Sequence, residues 1–216
     1  MDPSARLFPD PVPRLIGELA AVGAYAVGRQ LVLASAGNLS ARVPGTDSFV
    51  VTAAGTWLDR LAPGDFTVLD AAGTVLGGNP TPTTEWKLHA RTYGVRPNVN
   101  AVIHLHPLAA VILDACGIEI RLIVQDHAYY LGRINRVPFS YNGSDELADT
   151  TAEASRDCNV VIMAHHGCST LGDTIAMAYR RALNLEQAAQ ATLLAIQLGN
   201  TTATFPPEAL EGLHHG

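Results

Sequence analysis

Between residues 14 and 34 apolar side chains recur every three or four positions, at Leu15, Ile16, Leu19, Val22, Tyr25 and Ala26. That period lays a single stripe along a helix. The pattern then breaks at Ala36-Gly37-Asn38-Leu39-Ser40, which reads as a turn leading into short strand-like runs. Phe49-Val50-Val51-Thr52 and Asp65-Phe66-Thr67-Val68-Leu69-Asp70 predict two strands, closed by Ala53-Ala54-Gly55 and Ala71-Ala72-Gly73. Thr83-Thr84-Glu85, ahead of Trp86, Leu88, His89 and Tyr93, predicts a helix opened by a threonine cap, ending near Gly94 and stopped by Pro97. The apolar run from Ala101 to Pro107 predicts a buried strand, and its proline turns the chain into a helix over 108–116.

Residues 120–141 follow no single period, with Asp126-His127-Ala128-Tyr129-Tyr130 in their middle. A polar amphipathic helix is predicted over 145–157, a strand over 160–164 and a long alanine- and leucine-rich helix over 173–198. The chain reads as one domain over 1–216, with a proline-rich arm at 1–13 and a loose tail at 206–216. Short strands first and alternating helices and strands later argue for a mixed sheet with helices packed on it.

At 216 residues the chain is long enough to bury most of its apolar surface. Its 48% hydrophobic and 16% charged content argues against disorder. A net charge of -6 with no basic block argues against a nucleic-acid partner. No run of about 18 apolar residues is present to span a membrane. Three cysteines, Cys116, Cys158 and Cys168, fall in no C-x-x-C pattern and suit a reducing cytoplasm. A cytoplasmic enzyme is therefore the default expectation, with a small molecule as its substrate.

The chemistry concentrates in few residues. His104 and His106 alternate along the predicted strand, so both imidazoles share one face about 6–7 Å apart at the backbone. Two such nitrogens suit one divalent metal. His165-His166-Gly167, after the apolar run Val160–Ala164, offers a third imidazole and leaves a position open, as catalytic metal sites do. Glu85 sits at a helix start, where the dipole favours the anion. Gly37, Asn38 and Ser40 at a turn, and Thr83 and Thr84 at a helix start, offer donors to an anion. Plainer readings fit the same residues: backbone-bonded histidines, a capping carboxylate and an ordinary Gly-Asn turn.

Taken in order, Gly37-Asn38-Leu39-Ser40, Thr52-Ala53-Ala54-Gly55, Thr83-Thr84-Glu85, His104-Leu105-His106 and His166-Gly167 resemble the class II aldolase/adducin family, over roughly residues 14–200. The resemblance implies a three-layer α/β/α fold around a mixed, mostly antiparallel sheet. It implies Zn²⁺ on His104, His106 and His166, with Mn²⁺, Fe²⁺ or Co²⁺ as alternatives. His165 is then an outer neighbour of the site. Glu85 matches the acid/base, and Gly37, Asn38, Ser40, Gly55, Thr83 and Thr84 match positions that cradle a substrate phosphate. Family members are commonly homotetramers with active sites between subunits, where a neighbour's tyrosine supplies a second acid. Tyr130, Tyr129 and His127 lie in about the right stretch, and an aromatic packing cluster fits them equally. The implied activity is a lyase that cleaves or forms a C–C bond beside a carbonyl through a metal-stabilised enediolate. Ala54 stands where family aldolases usually carry Ser or Thr, so one hydroxyl donor to phosphate is missing. That keeps alternatives in view: a decarboxylase of an unphosphorylated hydroxy acid, a 4-epimerase or a dehydratase, and, from a different class, a non-catalytic interaction module.

Overall fold

A computed structural model describes residues 10–214. Its elements run α1 (Val12–Gly28), β1 (Asn38–Arg42), β2 (Phe49–Thr52), β3 (Phe66–Leu69), β4 (Val75–Gly78), α2 (Trp86–Val95), β5 (Ala101–Leu105), α3 (Leu108–Ala115), α4 (Gln125–Leu131), β6 (Ile134–Val137), α5 (Asp145–Ala154), β7 (Val160–Met163), β8 (Gly167–Gly172) and α6 (Ile175–Gln197). The strands form one eight-stranded sheet in the order β4-β3-β2-β1-β5-β8-β7-β6. Every neighbouring pair is antiparallel except β6 with β7.

Alternation along the strands divides the core into two halves. Ala101, Ile103 and Leu105 of β5 pack in the half shared with α1, α3, α4 and α6. Val102 points the other way, into the half closed by Leu88 and Tyr93 of α2 and Leu147 of α5. The result is the three-layer α/β/α arrangement with a mixed, mostly antiparallel sheet. His104 follows Val102 by two residues and therefore faces the α2–α5 layer. Helix starts follow local chemistry: the Ser144 hydroxyl accepts the Leu147 N–H at 3.1 Å at α5, and Thr174 accepts from Met177 at 3.1 Å at α6.

Several expectations are corrected. The first helix ends at Gly28, not 34, because Gln30 and Ala34 take left-handed conformations (φ 59° and 53°) while Leu31 and Val32 turn inward. Asn38, Leu39 and Ser40 lie in β1, so the turn is confined to the residues before them. The second helix carries no threonine cap: Glu85 is the capping position and makes no side-chain cap bond. β5 stops at Leu105, leaving His106 just beyond it. The fifth helix stops at Ala154, not 157. Val12 begins α1, so the arm is shorter than 1–13, and its residues 1–9 lie outside the described residues. The tail holds short 3-10 turns at Pro207–Ala209 and Glu211–His214, with 215–216 outside the described residues.

Candidate active site

Three segments deliver the imidazoles. His104 comes from the end of β5, His106 from the two-residue exit toward α3, and His166 from the tight connection of β7 to β8. In that connection Met163 pairs with Gly167, and the intervening His165 adopts φ 56°. The reversal throws His165 outward to an exposed position and turns His166 inward. His165 is therefore not part of the cluster, against its expected place beside the site. Ring nitrogens of His104, His106 and His166 all lie within 4.8 Å of one another. The rings meet edge to face, with centroids 4.8–5.1 Å apart.

Two glycines make this convergence possible. A Cβ on Gly167 would stand 2.5 Å from His106 Cδ2 and 2.5 Å from the Leu105 carbonyl. A Cβ on Gly37, already at φ +77°, would stand 2.7 Å from the His104 carbonyl. The His–Gly and Gly–Asn pairs thus have a packing reason: each lets backbone approach the histidine strand.

Tautomers follow from the partners. His104 Nδ1 faces the Cys168 carbonyl at 2.9 Å and must donate to it, so Nε2 points into the cluster. His106 Nε2 stands 3.0 Å from that same Nε2. Two inward-facing imidazole nitrogens at this distance need a proton or a cation between them. Glu85 adds a carboxylate, with Oε2 3.1 Å from His104 Nε2 and Oε1 3.6 Å from His166 Nε2. Glu85 is buried, and its Oε1 has no hydrogen-bond partner among the described residues. Three imidazoles and an orphaned carboxylate oxygen form a donor set that fits a divalent metal.

Burial pushes the Glu85 carboxyl up, but the charge and hydrogen bond of His104, then His166 and Asn38, outweigh it and hold it well below the usual carboxylate range. Burial alone predicts the opposite direction; the histidines reverse it. Burial, with the charges of His104 and His166, takes His106 down to about 3, and burial with His104 takes His166 down to about 4. Burial also lowers His104, yet Glu85 holds it above its ordinary value.

The remaining predicted residues divide. Asn38 Nδ2 donates to Glu85 Oε2 at 2.8 Å, so its amide serves the carboxylate. The Ser40 hydroxyl is fully buried against His89 Nδ1 (2.6 Å) and the Tyr93 hydroxyl (2.7 Å), which places it behind the site and away from a phosphate. Thr83 and Thr84 lead directly into Glu85, and their segment is joined to the end of β2, where Ala53 bridges to Pro82 and the Thr83 N–H donates to the Thr52 carbonyl at 3.1 Å; Gly55 (φ +72°) follows Ala53 by two residues. The Ala54 N–H is engaged by the Thr81 carbonyl at 3.0 Å. His127 and Tyr130 lie on α4, which packs against α6 on the other side of the sheet. His127 Nδ1 accepts from the Ile123 and Val124 N–H groups, and the Tyr130 ring lies under Arg180. Within one chain neither joins the cluster. A cavity of about 630 Å³, lined by Asp114, Ile118 and Arg136 among others, contains none of these site residues. His89 and Tyr93, which back the site, carry no motif that sequence reading singles out; His89 follows Trp86 by three residues and Tyr93 follows His89 by four, which suggests only helix packing.

The comparisons agree with this geometry. Residues 17–193 match the class II aldolase and adducin N-terminal domain family. An L-fuculose phosphate aldolase of Methanocaldococcus jannaschii is 36% identical over 166 residues, covering 77% of this chain and 88% of that protein. A 5-deoxy-D-ribulose 1-phosphate aldolase of Bacillus thuringiensis is 25% identical over 91% of this chain and 92% of its own length. Among solved structures, an L-fuculose 1-phosphate aldolase superposes with a TM-score of 0.86 over 97% of both chains at 23% identity, a likeness of fold. The L-fuculose-1-phosphate aldolase of Thermus thermophilus gives a TM-score of 0.79 at 25% identity, covering 89% of this chain and all of that one. No helix among the described residues is long and apolar enough to cross a membrane. The chain belongs to the class II aldolase and adducin family, and within it is an enzyme of the aldolase type.

Proposed function

We propose that this protein is a zinc-dependent lyase that cleaves or forms the C–C bond beside the carbonyl of a sugar phosphate, of the kind its relatives are named for. The observation that carries the reading is the convergence of three imidazoles with a buried carboxylate whose Oε1 is unpartnered. His104, His106 and His166 would hold the metal, with Mn²⁺, Fe²⁺ or Co²⁺ accepted by the same nitrogens. A divalent cation bound there supplies Lewis-acid stabilisation of negative charge developing on a substrate oxygen.

The chain's own groups do the proton work. Glu85 is an anion in the resting site, so Oε1 takes the proton released beside the carbonyl and returns it in the reverse direction. Asn38 keeps Oε2 occupied, which leaves Oε1 as the working atom. Gly37, Gly55, Thr83 and Thr84 take the anionic end of the substrate. Assembly as a cytoplasmic homotetramer would let a neighbour's copy bring Tyr130 or His127 toward the site as the second acid; light scattering of the purified protein tests the assembly.

A second reading has an observation of its own. Ala54 lacks a hydroxyl and its N–H is engaged by Thr81, which weakens a phosphate cradle and favours decarboxylation of an unphosphorylated hydroxy acid. Calorimetry of the metal-loaded protein with phosphoglycolohydroxamate and with glycolohydroxamate separates the two. Tight, metal-dependent binding of the phosphorylated compound alone supports the aldolase; equal binding of both supports the decarboxylase. Glu85→Gln should keep its metal and lose at least about 100-fold in turnover. Full turnover in that variant would remove Glu85 from the chemistry.

A further inference from the structure

Behind Glu85 and the Asn38 amide that bonds it, a buried row of polar side chains continues through His89, Ser40 and Tyr93, which the proposed chemistry does not use. Asn38 Nδ2 lies 2.8 Å from Glu85 Oε2, Asn38 Oδ1 2.5 Å from His89 Nε2, His89 Nδ1 2.6 Å from Ser40 Oγ, and Ser40 Oγ 2.7 Å from the Tyr93 hydroxyl. All five residues are buried, with His89 and Ser40 at 0% exposure. Asn38 and Ser40 alternate on β1, and His89 and Tyr93 stand one helical turn apart on α2, so each pair shares a face.

The direction of every bond is determined. An ionised carboxylate only accepts, so the Asn38 NH₂ must face it. Asn38 Oδ1 then accepts, and His89 must donate from Nε2–H. A neutral imidazole protonated at Nε2 has a lone pair at Nδ1, so the Ser40 hydroxyl donates there and its oxygen accepts from Tyr93. A flipped Asn38 would set oxygen against carboxylate oxygen. Burial, reinforced by the charge of His104 and opposed by Glu85, takes the His89 imidazole down to about 3, so the neutral ring persists.

We propose that His89 is a positioning residue: as the Nε2–H tautomer, set by Ser40 and Tyr93, it locks the Asn38 amide against Glu85 Oε2 and leaves Oε1 alone to move the proton. The inference rests on Glu85 being the acid/base.

The test is read at the row itself and needs no substrate. Histidine nitrogen–proton correlation spectra of the full-length, zinc-loaded protein should show His89, assigned by its loss in His89→Gln, protonated at Nε2 and bare at Nδ1, unchanged from pH 8 to pH 5. Ser40→Ala should mix the two tautomers and shift the Glu85 carboxyl carbon, and Tyr93→Phe should do so more weakly. Tyr93→Phe keeps the ring volume and serves if His89→Gln does not fold. A His89 that is charged or protonated at Nδ1, or a Glu85 carboxyl carbon unmoved in Ser40→Ala, overturns the proposal. On a sugar phosphate that the wild type cleaves, Ser40→Ala should lower kcat about tenfold with KM unchanged. Undiminished turnover of Glu85→Gln with the expected spectra would remove only the acid/base reading. An inactive Glu85→Gln beside an Nδ1–H His89 would remove only the row.

Discussion

Gly167 gives the site its closeness by lacking a side chain. The space a Cβ would need is taken by the His106 ring edge and the Leu105 carbonyl, both at 2.5 Å. The carbonyl belongs to β5 and cannot swing away. Gly167→Ala must therefore push the β7–β8 connection outward and carry His166 with it. The expected outcome is a folded protein whose zinc content after dialysis falls at least tenfold, read by elemental analysis. His89 carries a second prediction through its lowered pKa. An unfolded histidine titrates near 6.5, whereas folded His89 titrates near 3. Its folded state resists the proton, so its contribution is complete above pH 6.5 and is lost progressively as pH falls toward 3. One proton corresponds to a slope of about 1.4 kcal/mol per pH unit. Urea unfolding between pH 7 and pH 5 should show a shallower decline in His89→Gln than in wild type. Parallel declines would mean that His89 is charged in the folded protein.

At the scale of elements, α3 begins two residues after His106, and α6 holds its start. Glu186, buried on α6, accepts the Ala109 and Ala110 N–H groups at 3.1 Å each. These are two of the donors a helix start leaves unpaired. Glu186→Ala strands both in a dry place, so it should lower stability by about 2–3 kcal/mol in urea unfolding. Long helices were legible in the sequence because burial on one face leaves a period, as in α6 and in α1 up to its end, while β5, buried on both faces, read as a continuous apolar run. The glycine-bounded strands did not. Gly167–Gly172 pairs on both sides yet holds only one large apolar side chain, Leu171, and Val75–Gly78 holds only two apolar side chains. Both are strands because neighbours pair with them, which is a tertiary cause. The seven-residue α4 is too short to show a period. The histidines and Glu85 were legible because metal chemistry admits few residue types. Ser40 was misread as a phosphate donor because a hydroxyl near a turn looks the same whether it faces a ligand or, as here, His89 and Tyr93.

On the scale of the whole molecule, the candidate metal centre ties together parts of the chain that lie far apart in sequence. His104 lies one residue before the end of a central strand, His106 leads into α3, His166 belongs to a hairpin about sixty residues on, and Glu85 opens α2, in the layer that His104 faces. The unfolded chain cannot gather these groups, so a cation that binds only the folded form adds its binding free energy to folding. At a free concentration a thousandfold above Kd the gain is about 4 kcal/mol, which for a chain of this size raises the melting temperature by roughly 10 °C. His104 is the ring to remove, because it is fully buried and bonded to Cys168 on the next strand, and both neighbouring rings pack against it. Wild-type protein should melt near 10 °C higher with excess Zn²⁺ than after chelation. His104→Ala, with an unchanged far-ultraviolet spectrum, should melt at one temperature in both conditions. A His104→Ala variant that still gained the full shift would place the cation elsewhere, and a wild type that gained none would leave the three imidazoles as a proton-sharing cluster closed by Glu85.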